Sequence, residues 1–214
     1  MQIKKAIIIS VCLVNIIKCF ALPEIIQPVM VSDNKDRAVN IREIRDHEFD
    51  EVRDLGVKIF TYIYNFTTQE QINDLRKSYD STISEERNDF NSNYENMISL
   101  VATCNNQIIG FLSVNLTDKP NEVYGRVFLV HPTFQKCGIG KKLLKRCRQL
   151  LPSSKKVVCM TSKKNERAQQ LYAHFGGKKI ENPYWSKYLY RNLDVSNYTG
   201  YEFDEAALLV FDKK

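Results

Sequence analysis

Val127-Phe-Leu-Val-His-Pro-Thr-Phe-Gln-Lys-Cys-Gly-Ile-Gly-Lys-Lys-Leu-Leu144 is the stretch on which the reading of this chain turns. Val127–Val130 is an apolar run suited to a buried strand, and Pro132, with no N–H to give a ladder, stops it. Gly138 and Gly140 then lead straight into Ile139–Leu151, whose apolar residues fall at helical spacing. Such a loop can turn successive backbone N–H groups inward, and the helix start adds unpaired donors and partial positive charge. Together they form an anion site suited to a pyrophosphate. Glycine serves where a side chain would block the phosphate or forbid the backbone angles. Lys136, Lys141 and Lys142 add positive charge at the mouth. Taken alone, Gly-x-Gly after a strand is equally well a loop that starts a helix.

Upstream, Ala38–Ile44 alternates as a first strand would. Asp46 opens a helical stretch with Phe49, Val52, Leu55, Ile59 and Ile63 three and four residues apart. Thr67 or Thr68 caps a second helix from near Gln69 through Ile72, Leu75 and Tyr79. Ser81–Asn96 is charged and Asn-rich with little periodicity, and reads as loop and helix fragments. Ile98–Cys104 and Gln107–Leu116 form a hairpin about Asn105-Asn106, because Asn tolerates the left-handed conformations of a tight turn. Val123–Val130 is a third strand. Downstream come the short apolar strand Lys156–Thr161, a helix over Asn165–Phe175 stopped by Gly176-Gly177, and a last strand over Ala206–Phe211. The order β, α, α, β, β, β, α, β, α, β, β describes a mixed α/β domain.

Gln135-Lys-Cys-Gly138-Ile-Gly140 resembles the Gln/Arg-x-x-Gly-x-Gly/Ala pyrophosphate loop of the GNAT acetyltransferases, in its usual place behind a Val-x-Pro strand end. Asn165-Glu-Arg-Ala168-Gln-Gln-Leu171-Tyr172-Ala-His-Phe175-Gly176 resembles that superfamily's Asn-x-x-Ala-x-x-Leu-Tyr-x-x-x-Gly-Phe helix, with Phe and Gly in reversed order. The resemblance runs from Val39 to the C-terminus, in its N-terminal third by element order only. It implies a central mixed sheet of about six to seven strands flanked by about four helices. It implies acetyl-CoA as cosubstrate, no metal, and transfer of the acetyl group to a primary amine of a small molecule or polypeptide by direct attack in a ternary complex. A splay between the third and fourth core strands would admit the pantetheine arm, with backbone donors from Phe128, Leu129 and Val130. Gln135, Lys136, Cys137, Gly138, Ile139, Gly140 and Lys141 would surround the pyrophosphate. Asn165 would lie near the pantetheine, Ala168 would make room by being small, and Tyr172 would protonate the leaving thiolate. A phenol, with a reference pKa of about 10, matches an alkyl thiolate of comparable basicity.

The thioester carbonyl would be polarised by a strand-end N–H, that of Val130. An ammonium cannot attack, so a base must remove its proton. Where this superfamily often carries a strand acid, the chain reads Arg126 and Val127. Glu122 and Tyr124, a few residues upstream, are the candidates, acting through water. Cys137 sits in the phosphate loop with no His partner suggested by position, and His131 and His174 occupy filler positions. A rival reading keeps the fold without turnover, as a CoA-binding or exported effector-type interaction module, and the missing strand acid favours it.

The 214 residues, 43% hydrophobic and 26% charged, suffice for one domain with a core. Of 31 basic residues, Lys4, Lys5 and Lys18 lie in the first eighteen, leaving 28 against 25 acidic ones. That balance excludes a nucleic-acid binder. Met1–Lys5 is a cationic n-region, Ala6–Ile17 an apolar h-region, and Cys19-Phe20-Ala21 a cleavage site with small residues at both positions. The expected layout is a signal peptide over 1–21, a linker over 22–37 and the catalytic domain over 38–214. The apolar run falls short of the roughly 20 residues of a membrane span. This predicts an exported protein, periplasmic or secreted, without stable membrane association once the leader is removed. An uncleaved anchor, or a cytoplasmic enzyme with a misplaced start, is the alternative. Cys104, Cys137, Cys147 and Cys159 match no zinc spacing and are either free or paired. Pro183–Phe203, with Tyr184, Trp185, Tyr188, Tyr190, Tyr198, Tyr201 and Phe203, reads as an aromatic loop. It either lines the acceptor site, facing Tyr62 and Tyr64, or covers the open end of the sheet.

Overall fold

The computed structural model describes residues 38–92, 96–119, 121–151, 156–181 and 195–204. The expected leader and linker, the aromatic residues 184–190 and the strand expected over 206–211 lie outside them. The hairpin forms as its Asn-Asn turn requires: Asn105 and Asn106 have φ of 50° and 62°, joining β2 (Met97–Cys104) to β3 (Gln107–Leu116). Around this hairpin stand β1 (Asn40–Glu43), β4 (Glu122–Val130), β5 (Lys156–Ser162), β6 (Lys178–Ile180) and β7 (Tyr198–Asp204). They make one seven-stranded sheet in the order β1-β2-β3-β4-β5-β7-β6. β4 and β5 run parallel and the other neighbours antiparallel.

Helices cover both faces. α1 (Phe49–Ile63) and α2 (Gln69–Ser92) bury Phe49, Val52, Ile59, Leu75 and Tyr79 against Val101, Phe111, Val127 and Leu129. α3 (Ile139–Leu150) and α4 (Glu166–His174) bury Ile139, Leu143, Ala168 and Tyr172 against Leu112, Phe128, Val130 and Phe203. The period of two along β4 sends Val127 and Leu129 to the first layer and Phe128 and Val130 to the second. Gly176, at φ 79°, ends α4 as expected of a left-handed stop.

Two expectations are corrected. Ser81–Ser92 is not loop and helix fragments but the unbroken second half of α2. Its inward face is polar, which hides the helical period: Thr82 and Glu86 are buried beside Ile83. The Glu86 carboxylate accepts from Arg126 Nε at 2.6 Å and from Ser113 Oγ at 2.8 Å, and Arg126 Nη1 also donates to Asp89 at 2.7 Å. Tyr198, Tyr201 and Phe203 lie not in a loop but in β7, which pairs with β5 from Ser162↔Tyr198 to Lys156↔Asp204. Thr199 and Gly200 break the apolar alternation that would have marked the strand. Among the described residues, no helix is long and apolar enough to cross a membrane.

Candidate functional site

The sheet opens in one place. β4 pairs with β5 only from Glu122↔Lys156 to Gly125↔Cys159, yet stays paired with β3 up to Gly110↔Val130. Between Gly125 and Val127 the register with β3 shifts by one, so Arg126 is an extra residue in β4. Such a bulge bends its strand, and here β4 leaves β5 at that point. His131 N–H donates to Ile109 O at 2.8 Å on the β3 side. Antiparallel alternation therefore turns the N–H and C=O of Phe128 and Val130 away from β3, toward the gap. By the same alternation Leu129 turns its backbone to β3. The gap is thus edged by the backbone of Phe128 and Val130, and the Val130 carbonyl accepts from Gln135 Nε2 at 3.3 Å.

Past the gap the chain turns through Lys136, at φ 66°, and Gly138, at φ 76°, the residue before α3. A Cβ built on Gly138 would meet nothing within 4 Å, so this glycine serves its backbone angle and an open approach, not packing. Lys142 N–H reaches Gly138 O at 3.0 Å, which closes the first helical turn. The first N–H groups of any α-helix precede its first intrahelical bond, and a helix start of this kind suits an anion. Ile139 is buried and anchors this end, while Lys136, Cys137 and Lys142 are exposed around it. α3 can lie this close to β3 because Gly110 has no side chain: a Cβ there would stand 3.0 Å from Leu143 Cδ1.

Across the gap, β5 passes into α4. Asn165 N–H bonds to Ser162 O at 2.9 Å, and Asn165 Oδ1 caps the helix by accepting Ala168 N–H at 3.1 Å. Asn165 is buried, and its Nδ2 has no hydrogen-bond partner among the described residues. Ala168 is buried on the same helix. Tyr172 is buried with its ring edge-on to Tyr201 at 4.8 Å and Phe203 at 5.8 Å. Burial, and then the neighbouring Cys159 thiol, push the Tyr201 phenol above its ordinary value.

Glu122 and Tyr124 stand on the paired part of β4, below the apex of the gap. Glu122 is buried at the strand start, accepts from Thr117 Oγ1 at 3.1 Å and lies 3.7 Å from Lys156 Nζ. Tyr124 is next to Gly125 at the apex, buried with Val158, Met160 and Tyr198. His131 is held at the end of β4, its Nδ1 accepting Thr133 N–H at 3.3 Å. Burial, and then the Lys58 ammonium, lower its pKa. His174 packs on Phe175 with ring centres 5.4 Å apart. Cys104, Cys147 and Cys159 are buried and Cys137 exposed, with no disulfide among the described residues; burial pushes Cys147 up to about 12. Tyr62 is exposed, and Tyr64 stacks on Phe60 at 5.6 Å. Phe128, Val130, Ile139, Ala168 and Tyr172 thus share one buried cluster, Gln135 bonds to Val130, and Asn165 caps α4. Arg126, whose position the sequence marked only as lacking an acid, proves to be the bulge residue at the apex of the gap.

Known proteins share this fold. Among solved structures, the PaiA N-acetyltransferase of Thermoplasma acidophilum in complex with coenzyme A superposes with a TM-score of 0.59 at 16% identity, covering 78% of this chain and 99% of that one. A GNAT-family acetyltransferase of Staphylococcus aureus gives 0.55 at 18% identity, covering 78% and 99%. Diaminobutyrate acetyltransferase EctA of Paenibacillus lautus, in complex with L-2,4-diaminobutyric acid and coenzyme A, gives 0.52 at 11%, covering 79% and 96%. No curated protein matches the chain. At these identities the neighbours establish the fold. The profile described as the acetyltransferase (GNAT) family matches residues 62–176, from the end of α1 through the whole gap to Gly176. With that match over more than half of its length, the chain belongs to the acetyltransferase (GNAT) family.

Proposed function

We propose that the protein transfers an acetyl group from acetyl-CoA to a primary amine of a small molecule or polypeptide. One observation carries this reading: β4 parts from β5 after Gly125, and the edge it exposes, Phe128 and Val130, leads directly to the left-handed Gly138 and the start of α3. The residues fit the cosubstrate on two further points. Gly138 leaves its approach open, and Asn165 Nδ2 is a buried donor with no acceptor among the described residues. Two fold neighbours were solved with coenzyme A, and one of these with an amine substrate also, which supports the same assignment.

In this reading, the backbone of Phe128 and Val130 binds an extended amide arm as a further strand would. Gln135 to Lys141 surround the pyrophosphate, with the first N–H groups of α3 directed at it and Lys136 and Lys141 adding charge. Acetyl-CoA supplies an activated thioester. The Val130 N–H stabilises the charge that develops on the acyl oxygen when the neutral amine attacks. Tyr172 donates the proton from its hydroxyl to the departing sulfur, and Ala168 leaves room beside it. Tyr124 and Glu122, on β4 below the apex, relay the proton lost by the amine through water.

A second reading, a CoA-binding module without turnover, draws on Arg126, which stands where an acid would serve and is committed to Glu86 and Asp89. Thiol release from acetyl-CoA, measured with small aromatic amines, diamines and peptides bearing free amino groups, separates the two. The transferase reading expects release with at least one amine class and a rate reduced about 10²–10⁴-fold in Tyr172→Phe, with CoA affinity kept. Undiminished turnover in that variant would remove Tyr172 from the chemistry. Binding of CoA without release for any amine would leave the module reading standing.

A further inference from the structure

Thr161 lies on β5 two residues beyond Cys159, where β5 last pairs with β4. Its side chain is 0% exposed, and its Oγ1 has no hydrogen-bond partner among the described residues. Folded proteins rarely leave a hydroxyl in that state, because it has given up water and gained nothing in exchange. The period of two along β5 turns Thr161 to the same face as Cys159, the face covered by α3 and α4. The other edge of β5 is already taken, with Thr161 paired to Thr199 of β7. Four residues on, Asn165 Nδ2 is a second buried atom without a partner among the described residues. The bond from Asn165 N–H to Ser162 O folds the chain tightly between the two, so both sit where β5 borders the gap. Two unsatisfied polar atoms of one turn thus stand across the gap from the backbone edge of Phe128 and Val130.

Resting on the acetyl-CoA reading above, we propose that the Thr161 hydroxyl is a ligand-binding group, which hydrogen-bonds an amide of the extended arm lying in the gap. A hydroxyl both donates and accepts, so it meets either end of an amide, while Asn165 Nδ2 can only donate. The pair forms a polar wall on the β5 side, opposite the strand-like edge on the β4 side. The orphaned state of both atoms in the protein without ligand is the counterpart of that role: their partners arrive with the cosubstrate.

The test uses Thr161→Val, which keeps the shape and deletes the hydroxyl, and Thr161→Ser, which keeps the hydroxyl. Two probes are titrated: CoA, and adenosine 3′-phosphate 5′-diphosphate, which has the phosphates but no amide arm. Thr161→Val is expected to melt at the same temperature as the parent or higher, since it removes an unsatisfied buried group. It is expected to bind CoA roughly 3- to 20-fold more weakly, the loss of one hydrogen bond made on binding, and to bind the arm-less probe as the parent does. Thr161→Ser should restore CoA affinity. Equal CoA affinity in parent and Thr161→Val overturns the proposal. So does a variant that unfolds, or that melts lower and binds both probes more weakly, because the hydroxyl is then structural. A parent that binds neither probe refutes the cofactor reading itself, a result distinct from either of these.

Discussion

Gly138 concentrates at one position what the rest of the site distributes. Its φ of 76° would strain any L side chain by about 1–2 kcal/mol, and a side chain there would project into open space where the phosphates are proposed to lie. Gly138→Val is therefore expected to keep the fold, with a modest fall in melting temperature, and to lose at least tenfold in acetyl-CoA affinity. Unchanged affinity would mean that the loop is not the anion site. His131 offers a test by pH. Burial, and then Lys58, hold its folded pKa below the ordinary value of 6.5, so the unfolded chain binds more protons as pH falls through that value. His131 accordingly withdraws stability as pH drops below about 6.5 toward its lowered value. Melting temperature followed between about pH 7 and 5 should fall less steeply in His131→Gln than in the parent, and parallel slopes would contradict the assignment. At this scale the sequence was legible where the chain needs a special backbone angle, as at Gly138. Thr161 was not legible, since its significance lies in a bond it fails to make within the fold.

Among the elements, α2 and β7 mark the limits of pattern reading. The second half of α2 is held inward by Glu86, a carboxylate 0% exposed and paired to Arg126 from forty residues away in sequence. Periodicity registers apolar residues, and a helix that buries an ion pair gives it nothing to register. Arg126 is also the bulge residue at which β4 leaves β5. Glu86→Ala takes from the Arg126 guanidinium its fully buried partner, leaving the bond to the more exposed Asp89, and should cost up to about 3–5 kcal/mol in urea unfolding. The double variant Glu86→Leu with Arg126→Met should recover most of that loss. A single-variant cost below about 1 kcal/mol, the level of a surface pair, would show the pair to be dispensable. The α1–α2 contact offers a separate test. A Cβ on Gly56 would overlap the buried Tyr79 ring, and Gly56→Ala is expected to destabilise by about 1–3 kcal/mol through overpacking. The hairpin and the helix after Gly138, by contrast, were legible because their punctuation is local: an Asn-Asn turn and a proline-to-glycine loop.

For the molecule as a whole, element order alone anticipated the architecture, and the two motifs anticipated the family. What neither carried is the acceptor. Residues 1–21 have the composition of a cleavable leader, and we propose export on that ground. Expression in a secretory host with sequencing of the mature N-terminus should return Leu22, whereas Met1 retained on soluble protein would contradict export. Everything said of chemistry depends on one claim, that the gap between β4 and β5 and the loop at Gly138 together bind acetyl-CoA. The most direct measurement is calorimetric titration of acetyl-CoA into the purified protein and into Gly138→Val. The account predicts a single micromolar site in the parent, severely weakened in the variant. A folded parent that gives no binding heat and no rise in melting temperature with acetyl-CoA would contradict it.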